Sequence, residues 1–108
     1  MQLRRRVIIE SPFAGNIALN KAYAYEAALD SLKRGEAPFG SHLLYPLFLD
    51  DNKPEQRQMG IESGYAWWSS AELIAFYIDL GWSPGMLKAK ERLFEKNLII
   101  PFTERNIR

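Results

Sequence analysis

Residues 73–86 read LIAFYIDLGWSPGM, an apolar run that ends in Asp79 and in a turn rich in Gly, Ser and Pro. A short run that is apolar throughout is typical of a buried parallel strand, and the turn leads into helix-forming sequence. Where such a strand ends in an open sheet, unpaired backbone N–H groups and the positive end of a helix dipole face a crevice. The stretch therefore predicts a strand, a binding turn and a helix start.

The beginning of the chain shows the same order of features. Arg6 to Glu10 (RVIIE) is a predicted strand, and Ser11 to Asn16 (SPFAGN) is its turn. Because parallel strands end at the same edge of a sheet, we expect the two turns to share one small pocket for a polar or anionic ligand.

The whole chain alternates between strand and helix patterns, which predicts a single α/β domain over residues 1–108. We expect about four parallel strands with helices on both faces. Asn16 should cap a helix that runs to about Arg34, with Gly35 as its C-terminal cap. The apolar residues of this helix predict a buried face formed by Ala18, Ala22, Tyr25, Leu29 and Leu32.

The middle of the chain predicts a short strand, a loop and a second long helix. Pro38 limits any strand between residues 37 and 41, and residues 42–53 are interpreted as a long loop over the top of the sheet. Asn52 and Glu55 have the spacing of a capping box, which predicts a helix over residues 53–70.

The second long helix contains an apolar stripe of Ile61, Tyr65 and Trp68. It also contains Gly60 and Gly64, which are poor helix formers and suggest close approach by a neighbouring backbone or subunit.

The last helix is expected to begin with Ser83 as its cap and Pro84 at its first position, and to end near Asn97. Residues 98–102 predict the final strand. Pro101 removes a backbone donor, so this strand should lie at an edge of the sheet.

Composition narrows the classes of function. With 14 basic and 13 acidic side chains, the chain has little net charge, so nucleic acid and anionic membrane are not expected partners. The chain has no cysteine, and His42 is its single histidine, so neither a metal nor a cofactor is expected. A turn and a helix cap explain Asp50, Asp51 and Glu55. No apolar run has the length of a membrane span, and the N-terminus lacks a signal-peptide pattern, so a cytoplasmic protein is expected.

Four motifs, in this order, resemble those of a family of short proteins common in phages: VIIESPFAGN, DSLKRGEAPFGSHLLYP, DD-x-x-PE-x-R-x-x-GI-x-x-G-x-AW and Y-x-D-x-G-x-S-x-GM. That family looks like a minimal nucleoside 2-deoxyribosyltransferase-like fold, which is a flavodoxin-like or Rossmann-like three-layer sandwich. The resemblance implies a pocket for a nucleoside or nucleotide derivative. It would be formed by the first strand's turn, the loop after the second strand and the turn at Ser83.

The resembled transferases use a glutamate written S-x-G-x-x-x-E, whose carboxylate captures or shields an oxocarbenium-like transition state. Counting from Ser83, that position is Ala89, and Glu91 should face about 200° away around the helix. The resemblance therefore implies a binding protein without turnover. The alternative is an N-glycosidase or deoxyribosyltransferase in which Glu10, Asp79 or a residue of a neighbouring subunit replaces the missing carboxylate.

The candidate ligand contacts lie at the two turns and after the second predicted strand. Simpler interpretations stay open for several of them: Phe13 as a core residue, Asn16 as a helix cap and His42 as a structural residue. The candidates are Ser11, Phe13, Asn16, His42, Asp79, Trp82, Ser83, Gly85 and Met86. Arg57 is a further candidate, either for a phosphate or for pairing with Glu55 or Glu62.

The resemblance also suggests a biological setting. A phage protein that holds a nucleotide could be a sponge for a host immune signalling nucleotide of the cyclic ADP-ribose type. The small sheet and the tryptophans predict a homo-oligomer. A weaker alternative is an interaction protein that uses the tryptophan-rich helix to block a host factor.

Overall fold

The computed structural model describes residues 3–95 and 98–108. Strands and helices alternate along the described chain, with two short 3-10 turns flanking the third helix. In order they are β1 (Arg6–Glu10), α1 (Ile17–Lys33), β2 (Ala37–Phe39), α2 (Ser41–Leu44), a 3-10 turn (Tyr45–Leu47), α3 (Pro54–Ala66), a 3-10 turn (Trp68–Ser70), β3 (Leu73–Tyr77), α4 (Pro84–Glu95) and β4 (Phe102–Arg105).

The four strands form one parallel sheet in the order β2-β1-β3-β4, with Val7 of β1 beside Leu73 of β3. All five residues of β3 are buried, because this central strand is covered on both faces. Pro38 lies in edge strand β2 and Pro101 precedes edge strand β4, where a missing backbone donor is tolerated. The order is that of a flavodoxin-like sheet, so the expected α/β fold is confirmed.

Alternate residues of the central strands face two separate apolar layers. The layer beside α1 contains Val7, Ile9, Tyr23, Ala27, Leu73, Ala75 and Tyr77. The layer beside α4 contains Ile8, Trp68, Ile74, Phe76, Met86, Ala89 and Leu93.

The buried face of α1 is not the one that its apolar residues predict, and that prediction is wrong. Tyr25, Leu29 and Leu32 of the expected stripe are 46–53% exposed. Small side chains on the opposite face let the helix approach the sheet closely, and the polar groups there have partners. The Asn20 amide, for example, donates to two carbonyls of the preceding turn at 2.9 and 3.1 Å. The buried residues are Asn20, Tyr23, Ala24, Ala27 and Ser31.

Two helix caps of α1 are confirmed, whereas the one expected for α3 is wrong. The Asn16 side chain accepts a backbone hydrogen bond of 3.2 Å, and Gly35 adopts a left-handed φ of 84° after the helix. At the start of α3, Lys53 occupies the cap position without a side-chain bond. The Asn52 backbone N–H instead donates to the carboxylate of Asp50 at 3.0 Å, which closes a turn.

Three other boundaries differ from expectation. Residues 42–53 are not only a loop, because they include most of α2 and a 3-10 turn. The helix α3 ends at Ala66 and continues as a 3-10 turn to Ser70. The strand β4 begins after Pro101 rather than at residue 98, because proline has no N–H for the ladder. The expected helix end near Asn97 lies outside the described residues.

A buried ion pair ties β4 to the segment before β2. The Arg105 guanidinium donates to both carboxylate oxygens of Glu36, at 2.7 and 2.8 Å, and both residues are buried. These hydrogen bonds lower the pKa of Glu36, and the Ser31 hydroxyl adds another at 2.9 Å. The paired geometry fixes the direction in which the edge strand leaves the sheet.

Candidate functional site

A pocket of about 340 Å³ lies at the carboxyl ends of β1 and β3. The chain leaves β1 toward the face covered by α1 and leaves β3 toward the face covered by α4. In a flavodoxin-like sheet this divergence creates the crevice that holds ligands. The turns after both strands line the pocket, together with the segment 41–51 and one side of α3.

The structure brings together six of the nine candidate ligand contacts in this pocket. The other three lie outside its wall. The pocket is lined by Ser11, Phe13, His42, Ser83, Gly85 and Met86, whereas Asn16, Asp79 and Trp82 do not line it.

The Ser83 turn is built as the sequence predicts. The Ser83 hydroxyl accepts from the Met86 backbone N–H at 3.2 Å, and α4 begins at Pro84. Gly85 has no side chain at the pocket wall, and a Cβ added there would meet only the Ser83 hydroxyl, at 3.9 Å. The turn therefore leaves open space beside the start of the helix.

Ser11 and His42 form a close hydrogen-bonded pair across the pocket wall. The Ser11 hydroxyl lies 2.6 Å from Nε2 of His42. Burial lowers the pKa of His42 to about 4, so the imidazole is neutral at physiological pH. A histidine this reluctant to accept a proton is a poor general base, so the pair presents neutral hydrogen-bonding groups rather than an activated nucleophile.

Glu10 is the site residue that the sequence reasoning undervalued, because it appeared there only as a substitute for the missing glutamate. It is the last residue of β1 and lines the pocket. Desolvation raises the pKa of Glu10 to about 8, and no hydrogen bond or ion pair from the described residues offsets it. The carboxyl is therefore mostly protonated at neutral pH. An acidic residue that directly ends an apolar strand was the signal available in the sequence.

The opposite wall consists of α3 packed closely on the segment that follows β2. A Cβ on Gly64 would lie 2.7 Å from both Cβ and Oγ of Ser41, so only glycine permits this contact. A Cβ on Gly60 would lie 3.4 Å from the Leu49 side chain. The expected close approach at these glycines is confirmed for Gly64.

The predicted stripe of α3 and the 3-10 turn after it face the pocket. Ile61, Tyr65 and Trp68 all line it, and Trp68 is also fully packed in the core. The Arg92 guanidinium lies 4.3 Å from the Tyr65 ring centre, a cation–π contact that holds the ring in place.

Asp79 serves the fold rather than the pocket wall. One carboxylate oxygen accepts from the Tyr23 hydroxyl at 2.5 Å and from the Ile107 N–H at 2.8 Å, and the other accepts from the Arg108 N–H at 3.0 Å. Desolvation alone would raise the pKa of Asp79, but these hydrogen bonds hold it below its usual value. The side chain ties the C-terminal segment to the end of β3.

Asn16 and Trp82 also have structural contacts. The Asn16 side chain caps α1. The Trp82 ring lies 4.9 Å from the Phe76 ring and 4.9 Å from the Lys90 ammonium, so it packs on the core. Trp67 is 49% exposed, and its indole N–H donates to a tyrosine hydroxyl at 2.8 Å.

The outer part of the pocket is charged. Arg57 on α3 and Lys88 on α4 both line the pocket and a shallow depression beside it, and Asp51 lines both as well. Among the described residues, neither cation forms an ion pair within 4.0 Å, so the expected pairing of Arg57 with Glu55 or Glu62 is not formed.

The position that holds the glutamate in the resembled transferases is closed. Ala89 is 1% exposed in the layer beside α4, whereas Glu91 is exposed and lies outside the pocket wall. The expected opposite orientation of these two residues is confirmed. The described part of the chain contains no group of three His, Asp or Glu residues placed to hold a metal ion. None of its helices is long and apolar enough to cross a membrane.

The comparisons with known proteins give a family and no described activity. The chain matches neither a curated protein nor a solved structure. A family model described as a domain of unknown function, DUF7768, matches residues 5–103, which include every strand start and the whole pocket wall. The chain therefore belongs to the DUF7768 family.

Proposed function

We propose that this protein binds a nucleoside or nucleotide derivative in the pocket at the carboxyl ends of β1 and β3 and holds it without turnover. The observation that carries the proposal is that the turns after both central strands line one pocket of about 340 Å³. This volume lies at the lower end of the roughly 300–1,000 Å³ range of small-molecule sites.

The lining supports a ligand with a flat ring and a negative charge. Phe13, Tyr45 and Tyr65 supply aromatic surface for a base, and the neutral Ser11–His42 pair supplies hydrogen-bonding groups. Arg57 and Lys88 at the outer end provide positive charge for a phosphate.

The absence of a carboxylate at Ala89 supports holding rather than cleaving the ligand. Together with the resemblance to phage proteins, it supports a sponge that sequesters a host immune signalling nucleotide of the cyclic ADP-ribose type. Such a protein would act in the cytoplasm of the host cell.

A panel of nucleosides, nucleotides and cyclic ADP-ribose isomers tests this proposal by thermal shift and by chromatography of the ligand. We expect at least one member to raise the melting temperature and to be recovered intact. Gly85→Leu should abolish the shift, because its side chain enters the open space at the turn. Glu91→Leu adds the same side chain to the exposed side of α4 and should keep it. No shift with any member would contradict the proposal.

A second candidate function is nucleoside or nucleotide N-glycosidase or deoxyribosyltransferase activity with a displaced carboxylate. Glu10 favours it, because its carboxyl lies in the pocket and is protonated at neutral pH, as a general acid for a leaving base must be. Release of free base in the same chromatography assay, lost in Glu10→Gln, would favour this candidate over the sponge.

We also propose that the protein forms a homo-oligomer through the exposed face of α1. Its apolar stripe has the alternating spacing of four and three residues found in helix-to-helix seams, and its large members are about half exposed. Light scattering should give a mass above that of one chain, and Leu29→Glu should reduce it to a monomer. The stripe comprises Ala18, Ala22, Tyr25, Leu29 and Leu32.

A further inference from the structure

We propose that Glu10 recognises the ligand as a neutral carboxylic acid, whose O–H and C=O pair with an adjacent acceptor and N–H donor on a ring such as adenine. This inference rests on the proposed function and specifies its ligand class. The carboxyl would be the group that determines specificity at the inner end of the pocket.

The position of Glu10 supports this role. Ile8, two residues earlier in β1, belongs to the apolar layer beside α4, and the alternation of a strand puts Glu10 on that same face. Trp68 and Met86 of that layer also line the pocket. The carboxyl therefore lies against the apolar inner wall, where no described residue bonds to it.

The titratable side chains that line this inner wall are uncharged at neutral pH. His42, from α2, is neutral because burial lowers its pKa, and Tyr65, from α3, has a pKa raised by burial and by the nearby Glu10 charge. The charged Arg92 guanidinium, from α4, lies 4.3 Å from the centre of that ring and does not line the pocket. Desolvation raises the pKa of Glu10 to about 8, so this carboxyl also keeps its proton at neutral pH.

The charged side chains of the pocket belong to its outer part. Asp51 from the segment before α3, Arg57 from α3 and Lys88 from α4 are all exposed residues that also border the neighbouring depression. An anionic group on the ligand therefore fits at the outer end, while the inner end takes a neutral ring.

The protonation state decides which ring edge is complementary. A carboxylic acid offers one donor and one acceptor, whereas a carboxylate offers only acceptors. The amino group of adenine lies beside ring nitrogen acceptors on both of its polar edges, so adenine matches the neutral acid. Ionisation of Glu10 would place a second acceptor against a ring nitrogen and weaken binding.

Calorimetric titration with adenosine 5′-monophosphate tests the inference between about pH 7 and about pH 9.5, where neither the adenine ring nor the phosphate changes its charge. We expect the affinity to fall as the pH rises through about 8. Glu10→Gln keeps a donor and an acceptor but cannot ionise, so its affinity should be independent of pH. Glu10→Met, similar in size but without polar atoms, should bind roughly tenfold more weakly or worse at pH 7.

Purine riboside 5′-monophosphate, which lacks the amino group but keeps the ring nitrogens, is the matched control ligand and should lose part of the affinity that the methionine variant loses. A carbon-13 NMR titration of the ligand-free protein gives an independent readout, with the Glu10 carboxyl expected to remain protonated at pH 7. Binding of adenosine 5′-monophosphate with a flat pH profile, or unchanged affinity of Glu10→Met, would overturn the role of Glu10. The proposed function would still stand in that case. If no nucleotide of the panel binds, the proposed function and this inference both fail.

Discussion

Glu10 and Asp79 are two carboxyl groups at the same edge of the same sheet, and the structure gives them opposite surroundings. Glu10 ends β1 inside the pocket with no bonding partner in the described part of the chain, and desolvation raises its pKa to about 8. Asp79 follows β3 by two residues and accepts three hydrogen bonds, which hold its pKa below the usual value despite desolvation.

The contrast shows that topology sets where a carboxyl group lies, while the donors around it determine what it can do. Asp79 is committed to the fold because Tyr23 and the C-terminal backbone occupy both of its oxygens. Glu10 remains available to a ligand because none of the residues that the structure describes donates a hydrogen bond to it. An unsatisfied polar group at a concave edge is therefore the better indicator of a binding site.

A third carboxyl group, placed in the apolar layer beside α4, should have the largest effect. Ala89→Glu puts the transferase-type glutamate into the apolar layer beside α4, where Ala89 is 1% exposed. We expect a loss of about 3 to 5 kcal/mol in the free energy of unfolding, measured by chemical denaturation. Glu91→Ala, at an exposed position of the same helix, should change it by less than about 0.5 kcal/mol. A stable Ala89→Glu protein that releases free base would show that this position opens to the pocket.

Replacing Glu10 with a residue that cannot ionise should change how the free energy of unfolding depends on pH. The folded protein keeps this proton up to about pH 8, whereas the unfolded chain releases it near the ordinary glutamate pKa of 4.5, so ionisation opposes folding as the pH rises between these values. Glu10→Gln lacks this effect. Its stability relative to the wild type should therefore rise with pH, by at most about 1.4 kcal/mol per pH unit in that window. Parallel pH profiles for the two proteins would mean that Glu10 ionises normally.

Neutralising Asp79 should have the reverse dependence on pH. Asp79→Asn replaces one acceptor oxygen with an amide group that faces backbone donors, and we expect a loss of about 2 kcal/mol at neutral pH. Because the folded pKa of Asp79 is lowered, its contribution to stability is present above the ordinary aspartate pKa of 3.8 and disappears as the pH falls through the folded pKa. Denaturation at neutral and acidic pH measures this difference, and ligand binding by the folded variant should be unchanged.

The sequence predicted those features that depend on neighbouring residues. The buried strand, the Ser83 cap and the glycine after α1 all follow from local patterns, and the alternation of strands and helices predicted that the two turns would meet. The close packing of Gly64 was indicated in the same way, because glycine is a poor helix former.

The features that the sequence did not predict depend on residues far apart in the chain. Asp79 is bonded to Tyr23, 56 residues earlier, and to Ile107, 28 residues later, and no local pattern indicates either contact. The buried face of α1 was mispredicted because its polar members, such as Asn20, find partners that apolar periodicity does not count.

The smallest expected effect concerns Tyr23, whose hydroxyl forms two hydrogen bonds with Asp79 and none with Glu10 among the described residues. It donates to the carboxylate at 2.5 Å and accepts from the Asp79 backbone N–H at 2.8 Å. Tyr23→Phe should lower the free energy of unfolding by about 1 kcal/mol, and Tyr25→Phe, at an exposed position of the same helix, should have almost no effect. If Asp79 holds the C-terminal segment through this hydroxyl, Tyr23→Phe combined with Asp79→Asn will destabilise the protein by less than the sum of the two changes. A fully additive pair would mean that the two side chains act independently, and the bonds from Ile107 and Arg108 alone would then account for the role of Asp79 in the fold.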